Sequence, residues 1–227
     1  MSEVSDLRIQ EVPRTLRELA LEKMRAAILD QHFPPGARLV ERDVGAQLGV
    51  SRSVVREVIR HLESEGLVQT IPHQGPIVAE LDADTAAQIY DIRAALEAAA
   101  AAAAAQRATP ADVARMEQAL ADIGAAYAKD QHKNVLDATT RFYDIMFQIG
   151  GKAVAWDLVQ RLNGRISRLR AMTIASAGRS ATGPAQMHKI VEAIAGHDAE
   201  AAARACREHV ERAAGIAKAM LNSTKTV

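Results

Sequence analysis

Between residues 14 and 30 the apolar positions Leu16, Ala20, Met24 and Ile28 recur every fourth residue, with Leu19 and Ala27 beside them. That spacing predicts an amphipathic helix. The run Phe33-Pro34-Pro35-Gly36 ends it, because prolines lack the backbone donor and clash with a preceding helical turn. Val44 and Leu48 share one face of a short second helix that starts near Glu41 and stops by Gly49. Ser51 is a suitable N-cap for a third helix running to about Glu65, with Val55, Val58, Ile59 and Leu62 turned inward and Gly66 closing it. The period then drops to two. Residues 67–71 and 76–79, separated by Pro72-His73-Gln74-Gly75, predict a β-hairpin. Residues 1–13 are polar and are expected to be loose.

Beyond Glu80 every segment reads as helix. The stretch 84–107 contains the run AALEAAAAAAAA, whose small side chains let neighbouring helices approach closely. Thr109-Pro110-Ala111-Asp112 is a strong helix start, with a capping threonine, proline at the first position and an acid in the first turn. Further helices are expected at about 110–129, 132–149, 152–174, 184–195 and 198–222, with Asn163-Gly164 a candidate kink and SAGRSATGP a connection. The expected fold class is therefore mainly α: a small mixed domain over residues 1–80, then an all-α antiparallel helical bundle over 81–227.

Composition supports this division. The chain is 48% hydrophobic and 25% charged but only 3% aromatic, so its cores rest on Ala, Leu, Ile, Val and Met. Net charge is zero, and the first 78 residues hold ten Lys/Arg against eleven Asp/Glu. A broadly basic coat is excluded; any contact with nucleic acid must come from a focused face. The single Cys206 cannot form an intrachain disulfide, and no stretch resembles a signal peptide or a membrane span, so a cytoplasmic protein without membrane contact is expected.

Helix, short helix, turn, helix and hairpin is the order of a winged helix-turn-helix, whose second paired helix enters the major groove of DNA. Placing the apolar stripe of the third helix inward turns Ser53, Arg56 and Arg60 outward, with Arg52 at the border. Arginine can fork onto guanine or grip phosphate, although such a stripe also reads as an ordinary solvated face. The stretch PGARLVERDVGAQLGVSRSVVREVIRHLESEGLV, residues 35–68, resembles the DNA-binding core of the GntR family of regulators. The departures are Gly45 where Ala is usual and Val54 where Pro is common. The resemblance implies that Arg42, Ser51, Arg52, Ser53 and Arg56 contact DNA, with Gln74 and Gly75 at or near the minor groove.

The second half resembles the FadR-like branch of that family, with its helical FCD domain, through Tyr90-Asp91-Ile92-Arg93-Ala94-Ala95-Leu96-Glu97. Many members bind a metal there through an Asp and a His four residues apart and two later histidines. Alignment on FYDIMFQIGG puts Thr139 and Tyr143 at the first two positions, while His188 and His209 fall at the later two. Half of the site is thus absent, so no cofactor is expected, and a divalent metal on His188 and His209 is the alternative. The resemblance makes Arg93, Thr139, Tyr143, His188 and His209 candidate effector-binding residues, with Arg93 suited to an anion such as an organic acid. Arg93 can equally pair with Glu97 one turn away, yet Arg93→Ala is expected to leave the fold intact. Arg165, Arg168 and Arg170 are weaker candidates, and Trp156 and Met172 read as core.

Together these features predict a homodimeric, sequence-specific transcription regulator, not an enzyme, that binds a short palindromic operator and a small anionic metabolite. The alternatives are a helical-bundle enzyme using His188 and His209, or an effector-free dimeric DNA-binding scaffold. The chain has none of the usual glycine-loop, nucleophile or H-E-x-x-H motifs of enzymes.

Overall fold

The computed structural model describes residues 14–224 and divides into two compact units, one ending at Ala79 and one beginning at Glu80. The expectation for residues 1–13 lies outside the described residues.

In the first unit, Thr15 and Glu18 form a reciprocal capping box that starts α1 (Leu16–Leu29). The short α2 (Glu41–Leu48) ends at Gly49, whose φ of 69° favours a residue without a Cβ. Ser51 caps α3 (Arg52–Ser64) by accepting from Val54 N. Ala20, Met24 and Ile28 of α1 meet Val44 of α2 and Val55, Val58, Ile59 and Leu62 of α3 in one core. Leu16, expected in that stripe, and Leu19, expected beside it, instead remain 58% and 41% exposed. A module this small has too little interior to cover every apolar position.

Strands β1 (Val68–Ile71) and β2 (Gly75–Val78) pair antiparallel, with Val68 opposite Val78 and Ile71 opposite Gly75. The segment after the prolines lies along the other edge of β2: Leu39 N donates to Pro76 O and Val78 N to Ala37 O, both at 2.9 Å. Pairing on both sides of β2 fixes the hairpin to the helices.

The second unit is all helical among its described residues: α4 (Ala83–Arg107), α5 (Pro110–Ala128), α6 (His132–Ile149), α7 (Ala153–Arg161), α8 (Asn163–Ile174), α9 (Arg179–Ala195) and α10 (Ala199–Thr224). The expected helix at 152–174 is two helices, broken at Leu162 just before Asn163-Gly164. Of the two expected core residues there, Trp156 is only partly buried against Phe147, and Met172 is likewise partly buried. The connection SAGRSATGP is also shorter than expected, because α9 begins at Arg179 and carries Pro184 inside it. Pro184 forgoes a single early backbone bond, and Gly183 has no Cβ to meet the proline ring.

The central helix α4 packs against α10, α6 and α9. Ala98, Ala100, Ala101, Ala104 and Ala105 are buried along it, and this small-residue face admits the end of α6. A Cβ on Gly150 would stand 2.8 Å from Ala100 O and 3.3 Å from Ala104 N. Gly150→Ala should therefore destabilise the fold by about 1–3 kcal/mol. Gly124→Ala, in open space on helix α5, should stabilise it by roughly 0.5–1 kcal/mol. Urea unfolding of both variants checks the pair; the same sign for both would refute the close approach.

Candidate functional site

On α3 the side chains of Arg52, Ser53, Arg56 and Arg60 are exposed, on the face opposite the buried stripe. Ser51 is exposed too, with its hydroxyl engaged in the cap. Arg56 is already oriented: its Nε and Nη2 donate to Glu41 Oε1 and Oε2 at 2.9 and 2.8 Å. That fork, with Arg52 and Arg60 nearby, holds the Glu41 carboxyl below its ordinary pKa. Arg42 lies on α2 with its Nε donating to Asp43 at 2.8 Å. At the hairpin, Gln74 is exposed, and His73 and Gly75 have φ of 66° and 84°. Sequence reasoning missed Glu41, which lies fifteen residues from Arg56, beyond any helical period.

The second unit contains a partly open cavity whose polar lining includes Arg93, Thr139, Tyr143, Arg170, Arg179 and His209, with Tyr127 and Thr173 beside them. Arg93, 2% exposed, donates from Nε and Nη2 to the fully buried Glu97 at 2.8 and 3.3 Å. Burial opposes the Arg93 charge, but Glu97 more than offsets it, and its pKa is raised. Arg170 lies 3.7 Å from Glu97 and 4.6 Å from the Tyr143 ring centre. Burial, then repulsion from Arg93, pushes its pKa down to about 10. Arg179, the first residue of α9, donates from Nη1 to Gln186 at 3.1 Å and from Nη2 to His209 Nε2 at 3.4 Å. Since a guanidinium only donates, His209 Nε2 accepts and the neutral ring carries its proton on Nδ1.

Among the described residues, the buried side-chain N and O atoms without a hydrogen-bond partner are Tyr90 Oη, Arg93 Nη1, Tyr143 Oη, Arg170 Nη2 and His209 Nδ1. Four belong to residues lining this cavity, and the Tyr90 ring lies 5.2 Å from the Arg93 guanidinium. Each can donate. Buried donors left without partners are unfavourable, so this wall is complementary to a ligand rich in acceptors.

His188 does not line the cavity. It is 57% exposed and pairs with Glu192 at 3.3 Å, because the neighbouring Met187 occupies the inward face of α9. Arg165 is exposed and Arg168 is not in the lining, so Arg170 alone of those three reaches the cavity.

The donor set does not fit the divalent metal found in many relatives. Thr139 donates its hydroxyl proton to Val135 O at 2.7 Å, and burial, then Glu97, raises Tyr143 well above the ordinary phenol pKa, which keeps it protonated. His188 faces away, leaving His209 amid three guanidiniums that repel a dication. Nor is Arg93→Ala the clean substitution that the sequence suggests, since it strands a buried carboxylate.

Burial, with Arg179, Arg93 and Arg170 after it, lowers the His209 pKa well below 6.5. The unfolded chain therefore takes up this proton first as pH falls, and the apo protein loses stability on acidification. His209→Gln should reduce the stability difference between about pH 7.5 and 5.5, measured by urea unfolding. Identical pH slopes in the two proteins would contradict a neutral buried His209.

A sequence model described as "Bacterial regulatory proteins, gntR family" matches residues 16–78, and one for the FCD domain matches residues 88–212. The chain is 28% identical over 188 residues to the HTH-type transcriptional repressor RspR of Escherichia coli K12, covering 83% of this chain and 82% of RspR. It is 41% identical over 83 residues to the Nta operon transcriptional regulator of Aminobacter aminovorans, covering 37% and 40% of the two chains. The E. coli McbR/YncC structure superposes with a TM-score of 0.76 at 21% identity, over 92% of this chain and 99% of that one. A putative transcriptional regulator GntR from Rhodococcus sp. RHA1 gives 0.73 at 25% identity, over 91% and 97%. These relatives are regulators and give no support to an enzyme using His188 and His209. With its helix-turn-helix, hairpin and helical second unit, the chain belongs to the GntR family of DNA-binding transcription regulators, in the branch that carries an FCD effector-binding domain.

Proposed function

We propose that this regulator works in the cytoplasm as a homodimer, reads a short imperfect palindromic operator through α3, and is controlled by a small anionic metabolite. The simplest such metabolite is an organic acid. The observation that carries the effector reading is the donor-rich wall of the cavity, where three guanidiniums stand beside a phenol and an imidazole N–H. In this reading residues 1–80 bind DNA, with Arg42, Ser51, Arg52, Ser53, Arg56, Gln74 and Gly75 at the contact, and residues 81–227 bind effector and dimerise. Arg93, Thr139, Tyr143 and His209 would face the ligand, joined by Arg170 and Arg179.

Two recognition helices related by a dimer axis imply an operator of two related half-sites. Operator selection from a random DNA pool, followed by binding titrations, tests this directly. Arg52→Ala or Arg56→Ala should weaken specific binding by about 1–3 kcal/mol if the contact is to a base edge. A phosphate contact would lower affinity evenly across sequences and flatten the salt dependence. Unchanged operator affinity in both variants would remove α3 as the reading element.

The cavity's charge implies that the regulator needs no resident divalent ion. Elemental analysis of protein purified without chelator or effector should find far less than one equivalent of zinc, nickel or manganese. A full equivalent of any of them would contradict this reading.

A further inference from the structure

We propose that the cavity is matched to a doubly charged oxyanion bound without metal, and that Arg179 is the residue selecting two charges over one. This rests on the anionic-effector reading above and names the ligand class within it. The starting point is the charge held around the cavity. Arg93, Arg170 and Arg179 are each at least nine-tenths buried, while Glu97 is the carboxylate they share the interior with. Tyr90, Tyr143, Cys206 and His209 are all kept neutral, chiefly by burial. Two positive charges are therefore left uncompensated in a low-dielectric interior, where each unpaired ion is strongly unfavourable. A monocarboxylate neutralises one of them; a dicarboxylate or a phosphate monoester neutralises both.

The three arginines have distinct roles. Arg93 is held by Glu97 through two hydrogen bonds, and Arg170 lies 3.7 Å from the same carboxylate. Among the described residues Arg179 has no carboxylate partner: its hydrogen bonds go to the neutral Gln186 and His209. It is thus the cavity's surplus charge. The local backbone makes room for it. Gly183, one turn along α9, would place a Cβ 3.3 Å from Arg179 Nε, so its absence lets the guanidinium fold back along the helix toward His209. Ile123, Ile174 and Met187 supply an apolar side to the same cavity.

The test uses the full-length protein at fixed pH and ionic strength, with acetate, malonate and inorganic phosphate as probes in calorimetric titration and thermal unfolding. Malonate, phosphate or both should bind at least about tenfold more tightly than acetate and raise the melting temperature. Preference for one of the two separates a dicarboxylate from a phosphate source. Arg179→Gln should bring the dianion-to-acetate ratio close to one while leaving the unliganded melting temperature equal or higher, since it removes a like charge. Arg179→Lys, which keeps the charge, should retain much of the ratio and serves if the glutamine variant misfolds. Equal binding of acetate and the dianions would overturn the charge match but leave the anion cavity standing. An unchanged ratio in Arg179→Gln would overturn its selecting role. Failure of all three probes to bind would overturn both this inference and the anionic-effector reading.

Discussion

The buried pair Arg93–Glu97 on α4 is the constraint around which the second domain is organised. An ion pair at i and i+4 is worth little on a helix surface, but these two side chains are 2% and 0% exposed. They stand on a helix whose other buried positions are largely alanine, so α10, α6 and α9 close in around them. Taking two charges out of water is unfavourable unless their remaining hydrogen-bonding capacity is met. Here it is met only in part: Arg93 Nη1 is without a partner, and Arg170 is drawn toward Glu97 without reaching hydrogen-bond distance. The partly satisfied pair and the second guanidinium together give the domain a polar cavity that an apolar bundle of this composition would lack.

The DNA-binding domain relies on a similar device in the open. Glu41, in the first turn of α2, grips Arg56 of α3 with both oxygens. An exposed pair of this kind contributes little stability, yet it restricts a long side chain before any partner arrives. One domain thus holds the exposed Arg56 with a carboxylate. The other holds Arg93 in the same way, which leaves Arg179 as the cavity guanidinium without an acid among the described residues.

Much of this was legible in the sequence, and the parts that were not share a physical cause. The stripe Val55, Val58, Ile59 and Leu62 and the cap at Ser51 follow from local periodicity and hydrogen bonding, which a chain carries openly. The alternation at the hairpin and the alanine run are equally local. The pairing of Glu41 with Arg56 depends on how two helices meet, which no spacing reveals. Arg179 was hidden because its Gly- and Ser-rich surroundings read as a connection, although Gly183 tolerates Pro184 and lets the helix begin early. His188 misled in the opposite way: its family position matched, but one step around α9 exchanges His188 for Met187 at the cavity wall.

In the proposed function the cavity guanidiniums, not a metal, receive the effector. The most direct measurement is a side-chain guanidinium NMR titration of the full-length protein with malonate, the resonances assigned by single-residue replacement. The Nε–H signals of Arg170 and Arg179 should shift and saturate together, and zinc added alone should leave them in place. Saturable shifts produced by zinc alone, or malonate shifts confined to surface arginines, would contradict it.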